Sequence, residues 1–213
     1  MGKKTILFDF DGTIADTVGP GVAIFNTMAR KRGFLQITKE NEESLRDQGP
    51  REVMKALEIP TFRAPFVVRG LRKGIRELVP TLKVAEGMAS ALLELKHRGH
   101  SLGIVTSNSQ ENVEEFLRCN NIDVFDHIQA GSGLFRKTYA IRMTILRNRL
   151  KKPEIIFVGD EIRDIEAARN ASVTVVAVTW GINSKQGLLK AQPDFIVDTA
   201  KELTDLLAMP SLG

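Results

Sequence analysis

The stretch TILFDFDGT, residues 5–13, joins a short apolar run to a group of acidic and small residues. Residues 5–8 have the composition of a buried β-strand, and Asp9 and Asp11 follow this run at once. In an extended segment, side chains two residues apart point to the same side. We therefore expect Asp9 and Asp11 to reach one ligand at the end of a strand.

Similar apolar runs recur after residue 86, and segments with helical periodicity separate them. The runs cover residues 101–106, 127–130, 154–159, 173–178 and 195–197. Continuous apolar strands that alternate with helices indicate a parallel sheet with both faces covered. The sequence therefore predicts an α/β fold with a Rossmann-like parallel sheet.

Residues 15–85 have a different character, since they contain four helical patterns and no good strand. The patterns cover residues 17–32, 39–48, 50–58 and 64–79. Thirteen Lys and Arg stand against eight Asp and Glu in this segment, which favours an anionic ligand. We predict an inserted helical domain over 15–85 and a core domain made of 1–14 and 86–213.

Composition excludes several classes of protein. The chain has 213 residues, a net charge of +4 and only 6% aromatic residues, too few for a typical nucleic-acid-binding surface. No apolar run approaches the roughly 18 residues of a membrane span, and the run at 5–8 is too short for a signal peptide. Cys119 is the only cysteine, which fits a reducing compartment. We expect a cytoplasmic monomer or homodimer that binds neither nucleic acid nor membrane.

Polar residues follow three of the predicted strands and should meet at one edge of the sheet, where ligands of such sheets bind. Lys137 begins the helix between the second and third groups. The three groups are Asp9, Asp11 and Thr13; Thr106, Ser107 and Asn108; and Asp160, Glu161 and Asp164.

Several carboxylates at one place repel each other and are costly to desolvate unless a cation lies among them. Mg²⁺ prefers such oxygen ligands together with water and a substrate phosphate. Lys137 and the hydroxyl of Thr106 suit a phosphate better than a carbonyl group. The set therefore predicts phosphoryl transfer, with one aspartate free to attack.

Each group has a simpler interpretation when taken alone. DFDG could open a calcium-binding loop, although a strand rather than a helix precedes it. Asp160 and Asp164 could simply favour a helix N-terminus, and residues 106–108 are typical of a helix cap. Lys137 alone is uninformative. The functional interpretation depends on all four occurring in order at strand ends.

Four segments carry a resemblance that covers essentially the whole chain: FDFDGTIADT (8–17), IVTSNS (104–109), Lys137 and VGDEIRDIEAA (158–168). They resemble phosphatases of the haloacid dehalogenase (HAD) superfamily in which a helical cap of the C1 type follows the first motif. AVTWGIN (177–183) and QPDFIV (192–197) resemble the phosphoglycolate-phosphatase-like branch. One departure is Phe135–Arg136 before the lysine, where relatives often have Gly.

The resemblance implies catalytic roles for four residues. Asp9 would be the nucleophile that takes the phosphoryl group, and Asp11 the acid that protonates the leaving oxygen and then activates water. Thr106 and Lys137 would hold the phosphoryl oxygens.

The resemblance also implies a Mg²⁺ cofactor. Asp160 would bind it together with Asp9 and the backbone carbonyl of Asp11, and Asp164 would support these ligands. Both aspartates of the first motif are present, whereas dehalogenases of the superfamily lack the second.

For the substrate, a small phosphorylated metabolite, we expect contacts from Thr13, Ser107 and Asn108. Arg51 opens a predicted cap helix and is a further candidate. Five other basic residues are expected on an exposed helical face: Arg63, Arg69, Arg72, Lys73 and Arg76.

The leading expectation is Mg²⁺-dependent hydrolysis of a small phosphomonoester, with 2-phosphoglycolate as the best single substrate. The alternative is a sugar phosphomutase of the β-phosphoglucomutase type. A binding protein that kept the fold without catalysis is a third reading, although such proteins usually lack one of the motif aspartates.

Overall fold

The computed structural model describes residues 3–133 and 136–209, which form one six-stranded parallel sheet. The strands in chain order are β1 (Thr5–Phe8), β2 (Ser101–Val105), β3 (His127–Gln129), β4 (Ile155–Gly159), β5 (Thr174–Val178) and β6 (Phe195–Val197). Their order across the sheet is β3-β2-β1-β4-β5-β6, so the N-terminal strand lies at the centre. The predicted parallel α/β fold is confirmed.

Ten α-helices occur in the described residues, and short 3₁₀ turns lie between some of the elements. Four of them follow β1 and precede α5: α1 (Val18–Arg32), α2 (Lys39–Arg46), α3 (Pro50–Ala56) and α4 (Ala64–Leu78). The other six are α5 (Met88–His97), α6 (Gln110–Cys119), α7 (Lys137–Arg147), α8 (Ile162–Ala171), α9 (Lys185–Lys190) and α10 (Ala200–Leu206).

Helix α9 was not predicted from the sequence. It has only six residues, and Gly187 in its middle lowers its intrinsic helix propensity. Its N-terminus is stabilised by the hydroxyl of Ser184, which accepts a hydrogen bond of 3.0 Å from the backbone N–H of Gly187. Leu188 is fully buried, so tertiary packing completes a helix that local sequence does not specify.

The central strand β1 supplies side chains to both faces of the sheet. Ile6 and Phe8 are fully buried in one apolar cluster, and Leu7 is fully buried in a second cluster on the opposite face. Helices α5 and α6 contribute to the first cluster, while α7 and α8 contribute to the second. Burial on both faces explains why the strands are continuously apolar rather than alternating.

Helices α1–α4 have an apolar cluster of their own, which includes Phe25, Leu45, Leu57 and Val67. We call residues 15–85 the cap segment. Two backbone hydrogen bonds lie where it joins the rest: Ala85 N–H to Ile14 O at 2.8 Å and Asp16 N–H to Lys83 O at 2.9 Å. The separate cluster agrees with an inserted helical unit, and the domain boundaries themselves stay a prediction.

Within residues 3–133 and 136–209, no helix combines the length and the apolar character that a membrane crossing requires.

We predict that Leu92→Ala lowers the free energy of unfolding by about 2–5 kcal/mol, because the side chain is fully buried in α5 and its loss leaves a cavity. Leu93→Ala is the matched control, since Leu93 is 52% exposed in the same helix. We expect a change of about 0.5 kcal/mol or less for the control. Chemical denaturation checks both, and equal losses would contradict the packing described.

Candidate active site

The carboxyl ends of the central strands bring the predicted site residues together. Phe8, the last residue of β1, lies opposite Ile104 of β2 and Val158 of β4. Asp9 continues β1, and its backbone N–H donates to Val158 O at 2.8 Å. The residues that follow each of the three strands therefore meet at one edge, although about 150 residues of sequence separate the first from the last.

Between the two carboxylates of the first motif, the side chain of Phe10 belongs to the apolar core. Phe10 is fully buried in the core, and its ring packs edge-on against Phe116 at 5.0 Å between centroids. Asp9 is buried and Asp11 is half-buried. The apolar anchor at Phe10 thus fixes the segment that carries both carboxylates.

Three buried carboxylates form a cluster at this edge: Asp9, Asp160 and Asp164, which we call the acidic cluster. One oxygen from each lies within 4.8 Å of the others. Asp9 is 1% exposed, and the other two are fully buried. Burial, followed by the charge of neighbouring Glu161 and Asp9, raises the pKa of Asp160 well above its usual range.

Lys137 places a positive charge inside the acidic cluster. Its Nζ lies 2.7 Å from Asp9 Oδ2 and also forms an ion pair with Asp164 Oδ1. Burial alone would lower the pKa of Lys137, but the carboxylates of Asp164 and Asp9 outweigh it and raise the pKa. The lysine is therefore held in its charged form between two of the three carboxylates.

Asp160 is fixed through both of its oxygens. The hydroxyl of Thr13 donates to Oδ1 at 2.6 Å, and the backbone N–H of Ile182 donates to Oδ2 at 2.8 Å. The loop of the first motif can approach Asp160 this closely because Gly12 has a φ of +80° and no Cβ; an added Cβ would overlap the carboxylate. The side chain of Thr13 thus hydrogen-bonds to Asp160, whereas the sequence had suggested a contact with the substrate.

Asp11 is oriented by Asn108, whose Nδ2 donates to its two carboxylate oxygens at 3.1 and 3.0 Å. Asn108 is itself held by Asn112 of α6, which donates to its Oδ1 at 2.9 Å. Burial and the neighbouring Asp9 carboxylate raise the pKa of Asp11 to about 6, although the hydrogen bond from Asn108 opposes this shift. Asn108 therefore acts on the carboxyl group that was expected to exchange protons.

Thr106 is fully buried directly after β2, and its Oγ1 accepts a hydrogen bond of 3.0 Å from the backbone N–H of Asn108. Its backbone N–H donates to Gln129 O of β3 at 3.0 Å. Ser107 is half-buried and lines the cavity described below. Asn108 thus contacts Asp11, and Ser107 lines the same cavity as Asp11.

Glu161 and Arg163 form a second buried ion pair next to the acidic cluster. Arg163 Nε donates to Glu161 Oε2 at 2.7 Å, and a further contact joins Arg163 Nη2 to Oε1. The Glu161 carboxylate raises the pKa of Arg163 despite burial, so the guanidinium is always charged. The sequence analysis included Glu161 only because it follows a predicted strand, and it did not predict a role for Arg163.

A cavity of about 350 Å³ opens above Asp11, and we call it the cap cavity. Asp11, Ser107, Asn108 and Arg163 lie at its floor, and helices of the cap segment supply most of its wall. Arg72 of α4 also lines it and donates through Nη2 to the backbone carbonyl of Ser107. The cap segment is therefore in direct contact with the loop that carries Asn108.

The arginines of the cap segment are not distributed as the sequence suggested. Arg51 is exposed in the first turn of α3 and does not line the cap cavity, so the geometry gives no support to its proposed substrate contact. Arg72 was expected on an exposed face but is half-buried and reaches Ser107. Arg69, Lys73 and Arg76 are exposed as expected, while Arg63 is half-buried. Arg136 is exposed, and Phe135 lies outside the described residues.

The donor set of the acidic cluster fits a divalent cation. Asp9, Asp11, Asp160, Glu161 and Asp164 bring five carboxylates together, against the two cations Lys137 and Arg163. Burial raises the pKa of Asp164 to about 7 even though Lys137 opposes the shift. Asp9 Oδ2 is buried, and its polar contact within the described residues is the 2.7 Å ion pair with Lys137. A hard cation with oxygen ligands would relieve the repulsion that the two basic residues leave uncompensated.

The match to a family model agrees with this arrangement. Residues 6–178 match the model of the haloacid dehalogenase-like hydrolase family, from β1 to the end of β5. The chain belongs to this family. The predicted resemblance to this superfamily is therefore confirmed, and the chain is a hydrolase of this family.

Several curated relatives cover almost the whole chain. The phosphoglycolate phosphatase of Synechococcus elongatus is 33% identical over 201 residues, which are 94% of this chain and 95% of that protein. A phosphoglycolate phosphatase of Vibrio vulnificus is 27% identical over 219 residues, with 96% of each chain covered. The pyrophosphatase PpaX of Oceanobacillus iheyensis is 28% identical over 218 residues, with 97% and 98% covered. Relatives of this chain are thus named for different substrates.

Solved structures confirm the fold. A predicted phosphatase from Clostridium acetobutylicum superposes with a TM-score of 0.80 at 23% identity, over 97% of this chain and 99% of that one. CbbY of Rhodobacter sphaeroides, solved in complex with phosphate, has a TM-score of 0.71 at 21% identity, with 95% and 96% covered.

We predict that Lys137→Met lowers the free energy of unfolding by about 3–5 kcal/mol in EDTA, because the buried carboxylates of Asp9 and Asp164 lose their cation. Arg136→Met is the matched control, since Arg136 is exposed at the preceding position. We expect the control to change stability by about 0.5 kcal/mol or less. Urea denaturation measures the free energy of unfolding of both variants. A Lys137→Met protein as stable as the wild type would argue against the ion pairs.

Proposed function

We propose that this HAD-like hydrolase cleaves phosphomonoesters in a Mg²⁺-dependent reaction through an aspartyl phosphate on Asp9. The observation that carries the proposal is the pairing of two differently placed carboxylates. Asp9 is buried beside Lys137, whereas Asp11, two residues on, is half-buried at the floor of the cap cavity. One carboxylate can thus attack a phosphoryl group while the other reaches the leaving oxygen.

In the first step, a carboxylate oxygen of Asp9 attacks the phosphorus, and the bond from phosphorus to the leaving oxygen breaks. Asp11 gives its proton to that oxygen, so the alcohol leaves neutral. A pKa of about 6 suits this role, since it lies close to neutral pH. Asn108 orients the Asp11 carboxyl group for the transfer.

In the second step, Asp11 takes a proton from water, and the resulting hydroxide attacks the phosphorus. The bond from phosphorus to Asp9 breaks, which releases phosphate and restores the carboxylate. Lys137 and the hydroxyl of Thr106 hold the phosphoryl oxygens in both steps, and Ser107 adds a polar contact at the floor of the cavity. This ammonium group and these hydroxyl groups are already in position, so they stabilise the phosphoryl group without reorganisation during the reaction.

Asp9, Asp160 and the backbone carbonyl of Asp11 would hold Mg²⁺, and Asp164 would support this set. When bound, the ion neutralises charge on the nucleophile and on a phosphoryl oxygen. Thr13 and the backbone of Ile182 keep the Asp160 carboxylate in place for this purpose. The excess of carboxylates over cations supports the assignment.

The substrate is proposed to be a small phosphorylated metabolite. The names of the Synechococcus and Vibrio relatives make 2-phosphoglycolate the first compound to test. A sugar phosphomutase would need a phosphoryl enzyme that resists water, so slow phosphate release with activation by a hexose bisphosphate would favour that alternative. We also propose a cytoplasmic location and a monomer or homodimer.

We predict Mg²⁺-dependent phosphate release from at least one phosphomonoester, and a fall in kcat of roughly a thousandfold or more for Asp9→Asn, since the amide cannot attack. Asp16→Asn is the matched control, because Asp16 is exposed in the same motif and should leave kcat unchanged. Release by the Asp9→Asn enzyme at the wild-type rate would overturn the proposed nucleophile.

We predict that saturating Mg²⁺ raises the Tm of the wild-type protein by roughly 5–10 °C, because the ion binds only the folded acidic cluster. Asp160→Asn should remove most of this rise, since it deletes a proposed ligand. Asp123→Asn, at an exposed position, should keep it. Thermal denaturation with and without Mg²⁺ provides the test, and equal shifts in all three proteins would contradict the assigned site.

A further inference from the structure

The cap cavity is continuous with the proposed phosphoryl-transfer site. Asp11 lies at its floor, and so do Ser107 and Asn108. Because Asp11 is the proposed donor of a proton to the leaving oxygen, the organic part of the substrate must extend from the phosphorus past Asp11. That direction leads into the cap cavity.

The wall of the cap cavity is almost entirely apolar. Helix α1 contributes Val22 and Phe25, α3 contributes Met54, and α4 contributes Val68 and Leu71. These side chains belong to or pack against the apolar cluster of the cap segment, apart from Val22 and Val68. At about 350 Å³ the cavity lies within the range of roughly 300–1,000 Å³ that is typical of small-molecule sites.

Three arginines line the cavity, two of them on helices of the cap segment, and all three are already engaged. Arg46 donates to the backbone carbonyls of Ile182 at 3.1 Å and Gly181 at 2.9 Å. Arg72 donates to the carbonyl of Ser107, and Arg163 pairs with Glu161. Among the described residues, the other charged side chains in the lining are the carboxylates of Asp11, Glu42 and Glu161. An anionic leaving group would therefore meet carboxylates and arginines that already hold other partners.

We propose that the preferred substrate is the phosphate monoester of an apolar alcohol whose hydrocarbon chain fills the cap cavity. This inference rests on the proposed function, since it assigns the leaving group of that same reaction. A hydrocarbon chain gains free energy from leaving water in this site, whereas a carboxylate against the apolar side chains would be desolvated and would compete for arginines that already bind backbone carbonyls. Met54 adds an adaptable surface to the wall.

An apolar leaving group changes which substrates the enzyme prefers, while the chemical steps stay the same. The carboxylate of 2-phosphoglycolate is close to its phosphate group, so the molecule would occupy only the floor of the cavity. The apolar wall would then contribute nothing to its binding. We therefore expect alkyl phosphates to be better substrates than 2-phosphoglycolate.

The direct test is kcat/KM for ethyl, butyl, hexyl and octyl phosphate, measured below the concentrations at which they form micelles, with 2-phosphoglycolate beside them. The leaving alcohols have similar acidity, so differences report binding of the chain. We expect kcat/KM to rise by up to roughly three- to fourfold per added methylene until the cavity is full. Binding of the matching alkylphosphonates, measured by calorimetry, should tighten in the same order.

Two variants and one matched control connect the effect to the cavity. Val68→Trp should reduce the ratio of octyl to ethyl phosphate turnover at least tenfold, because the ring occupies the cavity. Arg69→Trp, its exposed neighbour in α4, should keep the wild-type ratio. Leu71→Lys introduces a cation into the wall and should shift preference from hexyl phosphate toward the phosphate ester of 6-hydroxyhexanoate.

The outcomes separate the two proposals. Phosphate release that depends on Asp9 but is flat or falling with chain length would overturn the apolar leaving group and leave the reaction intact. The same holds if 2-phosphoglycolate is the better substrate, or if Val68→Trp and Arg69→Trp behave alike. Absence of Asp9-dependent release from every compound would overturn the reaction and this inference together.

Discussion

The accumulation of buried negative charge at one edge of the sheet is the constraint on which the site depends. Asp9, Asp160 and Asp164 approach within 4.8 Å of one another, and Lys137 offsets only part of their charge. Such a cluster is unfavourable for folding unless cations and hydrogen bonds compensate it. The surrounding features, from Thr13 on Asp160 to the Arg163–Glu161 pair, are the local compensation that the fold provides.

Sheet topology makes this concentration of charge possible. With β1 at the centre, the segments after β2 and β4 flank Asp9 on both sides. The cap segment leaves the core within a few residues of Asp11 and returns through Ala85, which donates to Ile14. The same short connection that carries the proposed proton donor thus also carries the helices that surround the organic part of a substrate.

Much of the fold was predictable, because apolar runs and helical periodicity are local properties of the sequence. The acidic cluster was predictable because carboxylates follow apolar strands and parallel strands share an edge. The order of the strands, helix α9 and the contact of Arg72 with Ser107 were not, since each depends on packing between distant segments. Sequence spacing indicates that Thr13 and Arg51 lie near a site, but it does not indicate which group each side chain contacts.

The most direct test of the central claim is to trap the phosphoryl group on Asp9. Rapid acid quenching of the enzyme during turnover, followed by peptide mass spectrometry, should find one phosphoryl group on the peptide that contains residues 5–13. With a substrate whose leaving group needs no proton, such as p-nitrophenyl phosphate, Asp11→Asn should increase its yield, since formation of the intermediate is spared and its hydrolysis lacks the base. Turnover in which no phosphoryl group is ever found on Asp9, or one carried by another residue, would contradict the account.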